Sequence, residues 1–250
     1  MLKTFNNYIN EESSNDSDSF QYASDIINHI QKVNNTGDSY IEIRGPEYNG
    51  IDKFDLVIQL KKTDSPNFET DSHFKDLPWE EINFNKYGYA LDANTFIDKE
   101  DLIIPKIVIT LIINQKKEPN LYKELNYKLI DILAHEVNHT KQVGWNRKPF
   151  KVRPSSNSDR EKSKHAASYF LLPDEIESMV TGMYERSKVE DTNIDDIMDK
   201  YLYPFLMDGQ INGDEYKKTL ETWIKYALEN YPDCKLSMDD EKVRKIVQSI

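Results

Sequence analysis

The sequence predicts an α+β fold, in which a small twisted β-sheet packs on the helix that carries a His-Glu-x-x-His motif and a mostly helical C-terminal half follows. Strand-like runs are confined to residues 39–114. A long amphipathic pattern comes next, at about 121–143, and the later patterns have helical spacing. Strands followed by helices are typical of the α+β class.

The N-terminal half is expected to supply one short helix and three strands. Residues 1–20 are polar and are expected to be flexible. Apolar side chains at helical spacing predict a helix over 20–33, and the stretch 64–106 contains turn signals. The strands are predicted at 40–44, 54–60 and 107–113. The last of these, IVITLII, is apolar throughout, as in a strand covered on both faces.

The clearest predicted element is the helix at about 121–143. Asn120 is a suitable N-cap and Gly144 a suitable terminator. Apolar residues recur every three or four positions, so one stripe of this helix is expected to face the core. The residues of the stripe are Leu125, Leu129, Ile132, Leu133 and Val137.

Later segments are interpreted as a basic loop and several helices. Residues 146–165 have no apolar periodicity and are interpreted as a long loop, either a solvated connection or a lid that contacts substrate. A helix is predicted at 174–188, and two or three more within 192–250. The predicted organisation is a flexible tail (1–20), a catalytic domain (21–190) and a helical subdomain packed on it (191–250).

Composition excludes some functions and restricts the choice of metal ligands. A net charge of −12 disfavours nucleic acid and anionic lipid as partners. We find no apolar run long enough to span a membrane and no secretion signal, so a cytoplasmic location is expected. Cys234 is the only cysteine, so a metal would be held by His, Asp or Glu.

The motif that indicates chemistry is His135-Glu136-Val-Asn-His139. Residues four apart on a helix project from the same face, so both imidazoles can reach one zinc ion. The Glu136 carboxylate lies about 100° around the helix axis, beside the metal and not on it. There it can accept a proton from a zinc-activated water and then pass that proton to the leaving amine.

This motif, on a helix that follows a strand, resembles the zincin metallopeptidases. The chain has no His between 140 and 164, so it does not follow the metzincin pattern. It is closer to the gluzincins, whose third ligand is a Glu on a later helix, often followed by a small residue. The segment Pro173-Asp-Glu-Ile-Glu177-Ser178 resembles that helix. The stretch 107–186 is also similar to small metallopeptidase-like proteins of bacteriophages, although Ser178 stands where Ala is common. For a phage-encoded chain, the expected cytoplasm is that of a host cell.

The resemblance implies a third ligand and an oxyanion stabiliser. It favours Glu177 as the ligand, with Glu175 and His165 as alternatives. Glu175 could instead stabilise the first helical turn by its charge, or orient a ligand histidine. Tyr169 is the preferred stabiliser of the tetrahedral intermediate, and His165 and Arg153 are alternatives.

The expected function is zinc-dependent hydrolysis of a peptide bond in a peptide or protein substrate. Strand 107–113 could offer an edge to an extended peptide, a hypothesis based on its closeness to the motif. The alternative is a non-catalytic phage structural or assembly protein that retains a zinc-bound zincin fold. Glu136 argues against it, since a structural zinc site does not need this acid. A hydrolase of cell-wall crosslinks is a third class. The natural substrate and oligomeric state stay open.

Overall fold

A mixed four-stranded sheet and seven helices form the described part of the chain, which confirms the α+β class. The computed structural model describes residues 18–33, 37–44, 54–65, 68, 74, 78–96, 105–117, 121–142 and 165–237. The strands are β1 (Gly37–Arg44), β2 (Asp55–Thr63), β3 (Tyr89–Phe96) and β4 (Lys106–Asn114). The helices are α1 (Asp18–Lys32), α2 (Pro78–Tyr87), α3 (Leu121–Gln142), α4 (Ala166–Phe170), α5 (Pro173–Glu190), α6 (Ile194–Met207) and α7 (Gly213–Asn230).

The sheet has the strand order β1-β2-β4-β3. Strands β2 and β4 are parallel, with Val57 opposite Val108, while β1 and β3 are antiparallel to their neighbours. The predicted apolar strand is therefore central: β4 is paired on both sides, and Ile107–Ile113 contains several side chains with no solvent exposure. An extended peptide cannot pair with β4, so the hypothesis that this strand offers a free edge is wrong. Among the described strands, β1 and β3 form the edges.

Helix α3 closely matches its predicted limits. Its apolar stripe packs in one buried cluster with residues of α1, β2, β3 and β4, and Leu125, Leu129 and Leu133 are fully covered. A helix with an apolar stripe is stabilised mainly by such tertiary contacts. The predicted cap Asn120 and terminator Gly144 lie outside the described residues.

Two elements in the stretch 64–106 were not predicted, namely α2 and β3. Helix α2 has no one-sided apolar stripe, and β3 contains Asp92 and Asn94, residue types that are uncommon in strands. Both elements depend on tertiary contacts. Strand β3 pairs along its whole length with β4, and the buried Glu80 of α2 accepts a hydrogen bond from the Leu91 N–H at 2.6 Å.

The C-terminal half is helical, as predicted. Helices α4 to α7 surround a second apolar cluster, in which Trp223 is fully buried and donates its indole N–H to the Phe170 carbonyl at 3.0 Å. The first residue of this cluster in the chain is Ala167, so the cluster extends across the predicted domain boundary at 190. The predicted basic loop falls almost entirely in 143–164, outside the described residues. No helix in the described ranges is both long and apolar enough to cross a membrane.

Candidate metal centre

Three side chains from two helices converge beside the sheet. His135 and His139 lie on α3 and Glu175 lies in the first turn of α5. The two Nε2 atoms are 2.9 Å apart, and Glu175 Oε2 lies 3.7 Å from His135 Nε2 and 3.4 Å from His139 Nε2. These three groups could hold one metal ion, because one ligand atom from each lies within 4.8 Å of the others.

The third member of this group, and its one acid, is Glu175 and not the favoured Glu177. Two residues along a helix rotate a side chain by about 200°, so Glu175 and Glu177 point to nearly opposite sides of α5. Glu175 is completely buried against the histidines, whereas Glu177 is partly exposed and contributes to the electrostatic environment of Tyr226 on α7. A small following residue therefore did not identify the acid that faces the histidines.

The charges of the cluster are set by burial and by the neighbouring groups. Burial, and next the charge of His139, lower the pKa of His135 to about 3, so its imidazole is neutral. Burial acts to raise the pKa of Glu175, but hydrogen bonds and charges from His139, His135 and Tyr169 lower it to about 2. A neutral imidazole and an ionised carboxylate are the forms that bind metal ions.

Glu136 lies next to the cluster without being part of it. Its Oε1 is 3.9 Å from His135 Nε2, and its Oε2 accepts a hydrogen bond from the Thr95 hydroxyl at 2.7 Å. Burial raises the pKa of Glu136 to about 7, although His139 and the Thr95 hydrogen bond oppose this effect. An acid with such a pKa can both accept and release a proton near neutral pH.

Two further side chains contact the candidate ligands and fix their orientation. The Tyr169 hydroxyl donates to Glu175 Oε2 at 2.7 Å, and the Ser178 hydroxyl lies 3.3 Å from His139 Nδ1. When His139 Nε2 faces a metal, its Nδ1–H donates to Ser178, a support that metal-bound histidines usually have. Ser178 is also held by Asn138 Nδ2 at 3.2 Å.

Sequence reasoning missed Thr95, and it gave no orienting role to Ser178 or Asn138. Ser178 was singled out only as the small residue after Glu177. Asn138 lies on the same helix as the two histidines, so its position near them follows from helix geometry. Thr95 lies on a strand that was not predicted, so the sequence carried no signal for it. Of the other candidates, His165 is exposed and lies 3.8 Å from Glu215, away from the cluster. Arg153 is outside the described residues.

A cavity of about 400 Å³ lies beside the cluster. Its lining includes His135, Glu136 and Tyr169, a segment of β3, and the side chains of Lys128 and Asp131 from the preceding turns of α3. This volume is within the usual range of small-ligand sites. The candidate metal ligands are therefore next to a space that a substrate segment can occupy.

The edge of β3 borders this cavity. The Gly88 carbonyl accepts a hydrogen bond from the Asn114 N–H, so these two residues form a hydrogen-bonded pair of the antiparallel ladder. Such pairs recur at every second residue, so the even-numbered residues of β3 bond to β4. The odd-numbered residues direct their N–H and C=O groups away from β4. Of these residues, Leu91 already donates its N–H to the Glu80 carboxylate. Ala93 and Thr95, the next odd-numbered residues, direct their backbone groups to this edge, and the Thr95 hydroxyl contacts Glu136.

Comparison with known proteins gives no relative for this chain. No family model, no curated protein and no solved structure matches it.

Proposed function

We propose that this protein is a metal-dependent hydrolase that cleaves peptide bonds, with zinc as its metal. The observation that carries the proposal is the convergence of His135, His139 and Glu175 on one point, with Glu136 beside them in a substrate-sized cavity. Two imidazoles and one carboxylate are the protein ligands of a well-known class of catalytic zinc sites, in which a fourth position stays open.

The spacing of the three ligand atoms supports zinc as the metal. Zinc binds such ligands at about 2.0–2.2 Å, and a tetrahedral arrangement then separates neighbouring ligand atoms by about 3.3 Å. The three separations here are 2.9, 3.7 and 3.4 Å. A bound zinc ion would act as a Lewis acid that polarises the substrate carbonyl and makes water a nucleophile near neutral pH.

Glu136 is proposed to move the proton. Its carboxylate accepts a proton from the attacking water and delivers it to the nitrogen of the departing amine, so one group serves both steps. The raised pKa of Glu136 suits this exchange, because burial keeps the protonated form accessible near neutral pH. Thr95 holds Oε2 and leaves Oε1 on the side of His135.

Tyr169 is proposed to stabilise the negative charge that develops on the substrate oxygen. Burial and the neighbouring Glu175 raise the pKa of Tyr169 well above its usual value, so the phenol keeps its proton and can donate it in a hydrogen bond. In the structure this hydroxyl donates to Glu175. A ligand that occupies the cavity would compete for the same donor.

A peptide is the favoured substrate because of the edge of β3. The backbone groups of Ala93 and Thr95 offer one N–H and one C=O each, the pattern that pairs with an extended chain. Such pairing would lay a peptide along the edge of β3, beside Glu136, which the Thr95 hydroxyl contacts directly. A substrate without a repeating amide backbone would leave these groups unpaired.

The decisive experiment compares Glu136→Gln with the wild type. The variant should bind zinc as the wild type does, measured by metal analysis, and should lose about 10²–10⁴-fold in cleavage of a quenched fluorescent peptide library. Glu124→Gln, on the same helix, is the matched control and should keep full activity. If Glu136→Gln keeps the wild-type rate, the proposed proton transfer is refuted. Zinc binding without cleavage by the wild type would favour the non-catalytic scaffold.

A further inference from the structure

A second cavity, of about 300 Å³, shares Lys128, Asp131 and Tyr201 with the cavity of the metal centre. Four basic side chains line it, each from a different helix: Lys86 from α2, Lys128 from α3, Arg186 from α5 and Lys200 from α6. Among the described residues of its lining, Asp131 is the one acid. The proposed hydrolysis uses none of the four cations.

The positive charges of this cavity are only partly balanced. Lys128 Nζ is 3.4 Å and Arg186 Nη1 is 3.7 Å from the same oxygen, Oδ2 of Asp131. Arg186 also pairs with Glu190, which lies outside the lining. Within the described ranges, neither Lys86 nor Lys200 is within ion-pair distance of an acid. Cations gathered in a concave site concentrate the field on a bound anion.

Aromatic side chains hold two of the ammonium groups at the wall. Lys86 Nζ lies 4.7 Å from the centre of the Tyr87 ring, and Lys128 Nζ lies 5.4 Å from that of Tyr201. Such cation–π contacts position an ammonium group without neutralising it. Lys128 Nζ also donates to Asp131, and Lys86 bonds to the Tyr87 side chain. Because an ammonium group has three N–H donors, each retains donors for an incoming acceptor.

The size of the cavity restricts the ligand. A volume of 300 Å³ is at the lower end of small-molecule sites and corresponds to about ten water molecules. It is too small for a folded partner or a nucleic acid strand, which the net charge of −12 would also repel. Ammonium and guanidinium groups preferentially bind carboxylate and phosphate.

We propose that this cavity binds a small polyanion, whose carboxylate or phosphate groups contact Lys86, Lys128, Arg186 and Lys200. The site would be separate from the metal centre and would connect to it only through the shared residues Lys128, Asp131 and Tyr201. The inference does not depend on the proposed peptidase activity.

The test is calorimetric titration of the metal-free protein with inorganic phosphate and with succinate at constant ionic strength. The wild type should bind at least one of them. The exposed pair Lys86→Gln/Lys200→Gln should weaken that binding by at least about tenfold. The control pair Lys217→Gln/Lys218→Gln removes two charges from the exposed face of α7 and should leave binding unchanged.

Each outcome bears on the proposal. Binding of phosphate alone, or of succinate alone, supports the site and identifies the anionic group that it prefers. Failure of both anions to bind the wild type would overturn it. Equal losses in the two double variants would also overturn it, because they would show an effect of net charge. None of these results depends on metal binding or peptide cleavage, so failure here leaves the peptidase proposal untouched.

Discussion

At the scale of single residues, three buried carboxylates of the described chain differ in the proton affinity that their surroundings give them. Glu80, Glu136 and Glu175 are each 5% exposed or less, and burial acts to raise the pKa of all three. Neighbouring groups then make the pKa values of the three acids differ. The two histidines and Tyr169 keep Glu175 ionised, whereas the pKa values of Glu80 and Glu136 are about 7. Two acids are therefore poised near neutral pH and the third is not.

Glu80→Gln should stabilise the protein at pH 8. Because burial raises the folded-state pKa of Glu80 to about 7, the unfolded chain releases this proton at lower pH than the folded one does. The contribution of this carboxyl to the free energy of unfolding is therefore fully present below about pH 4.5. It is lost as the pH rises towards 7. Gln has no proton to release, and its carbonyl can still accept from Leu91. We expect a gain of about 1–3 kcal/mol at pH 8 and little change at pH 5.

Urea unfolding followed by circular dichroism at the two pH values measures this difference. Glu81→Gln, at the exposed neighbouring position, is the control and should track the wild type at both. The same pH dependence in Glu80→Gln and the wild type would contradict the expected role of this carboxyl.

The proposed role of Glu175 as the third metal ligand can be tested by replacing it and the nearby Glu177 separately. Glu175→Gln should weaken zinc binding by more than about 100-fold, since loss of a mere supporting partner already costs 10–100-fold. Glu177→Gln removes the same charge on the far side of α5 and should bind zinc normally. Competition with a coloured chelator gives both affinities. The reverse order of effects would mean that α5 presents its other face to the histidines.

The sequence could predict part of this site and not the rest. His135 and His139 are four residues apart on one helix, so local geometry alone brings them together. Glu175 comes from a separate helix, and the choice between it and Glu177 depends on how α5 is rotated against α3. That rotation is decided by tertiary packing. Thr95 carried no local signal at all.

At the scale of elements, the close approach of α5 to α3 places Glu175 beside the histidines. Gly182 of α5 faces Asp131 of α3, and a Cβ atom at this position would clash with the Asp131 carbonyl oxygen and lie 2.6 Å from its Oδ1. The missing side chain is what allows the two backbones to lie so near each other. Arg186, one turn later, reaches the same aspartate.

Gly182→Ala should therefore push α5 away from α3. We expect a loss of about 1–3 kcal/mol in unfolding free energy, the usual cost of forcing extra volume into a packed interface. Zinc affinity should also fall, because Glu175 lies on the displaced helix. Thermal unfolding and chelator competition measure the two effects. Gly213→Ala, where an added Cβ meets no atom within 4 Å, is the control and should not destabilise the protein.

The predictability of the elements followed the strength of their own patterns. Helix α3 has a long apolar stripe and β4 an unbroken apolar run, so both were predicted near their observed limits. Helix α2 and β3 have neither feature. They are specified by the pairing of β3 with β4 and by the bond between Glu80 and Leu91, contacts that a local pattern does not reveal.

At the scale of the molecule, the candidate metal centre joins the two apolar clusters. The histidines lie on α3, which packs in the sheet cluster, while Glu175 lies on α5, whose Val180 and Met183 belong to the C-terminal cluster. A metal bound here would link both halves, so its binding energy would add to the stability of the whole fold.

Zinc should accordingly raise the melting temperature of the entire protein in one transition. At a free zinc concentration 100 times the dissociation constant, the expected stabilisation is about 2.7 kcal/mol. His139→Ala should abolish the increase, whereas His165→Ala, which changes an exposed side chain, should retain it. Differential scanning calorimetry measures both. A shift in only one of two separate transitions would show that the halves unfold independently.

The parallel pairing of β2 with β4 has a consequence for synthesis on the ribosome. Residues 55–63 leave the exit tunnel well before their partner 106–114, and α2 and β3 lie between them in the chain. Until β4 emerges, one edge of β2 has no strand to bond with, and unpaired edges invite association with other chains. Nascent chains stalled before residue 106 would then be the form of this protein most prone to aggregation.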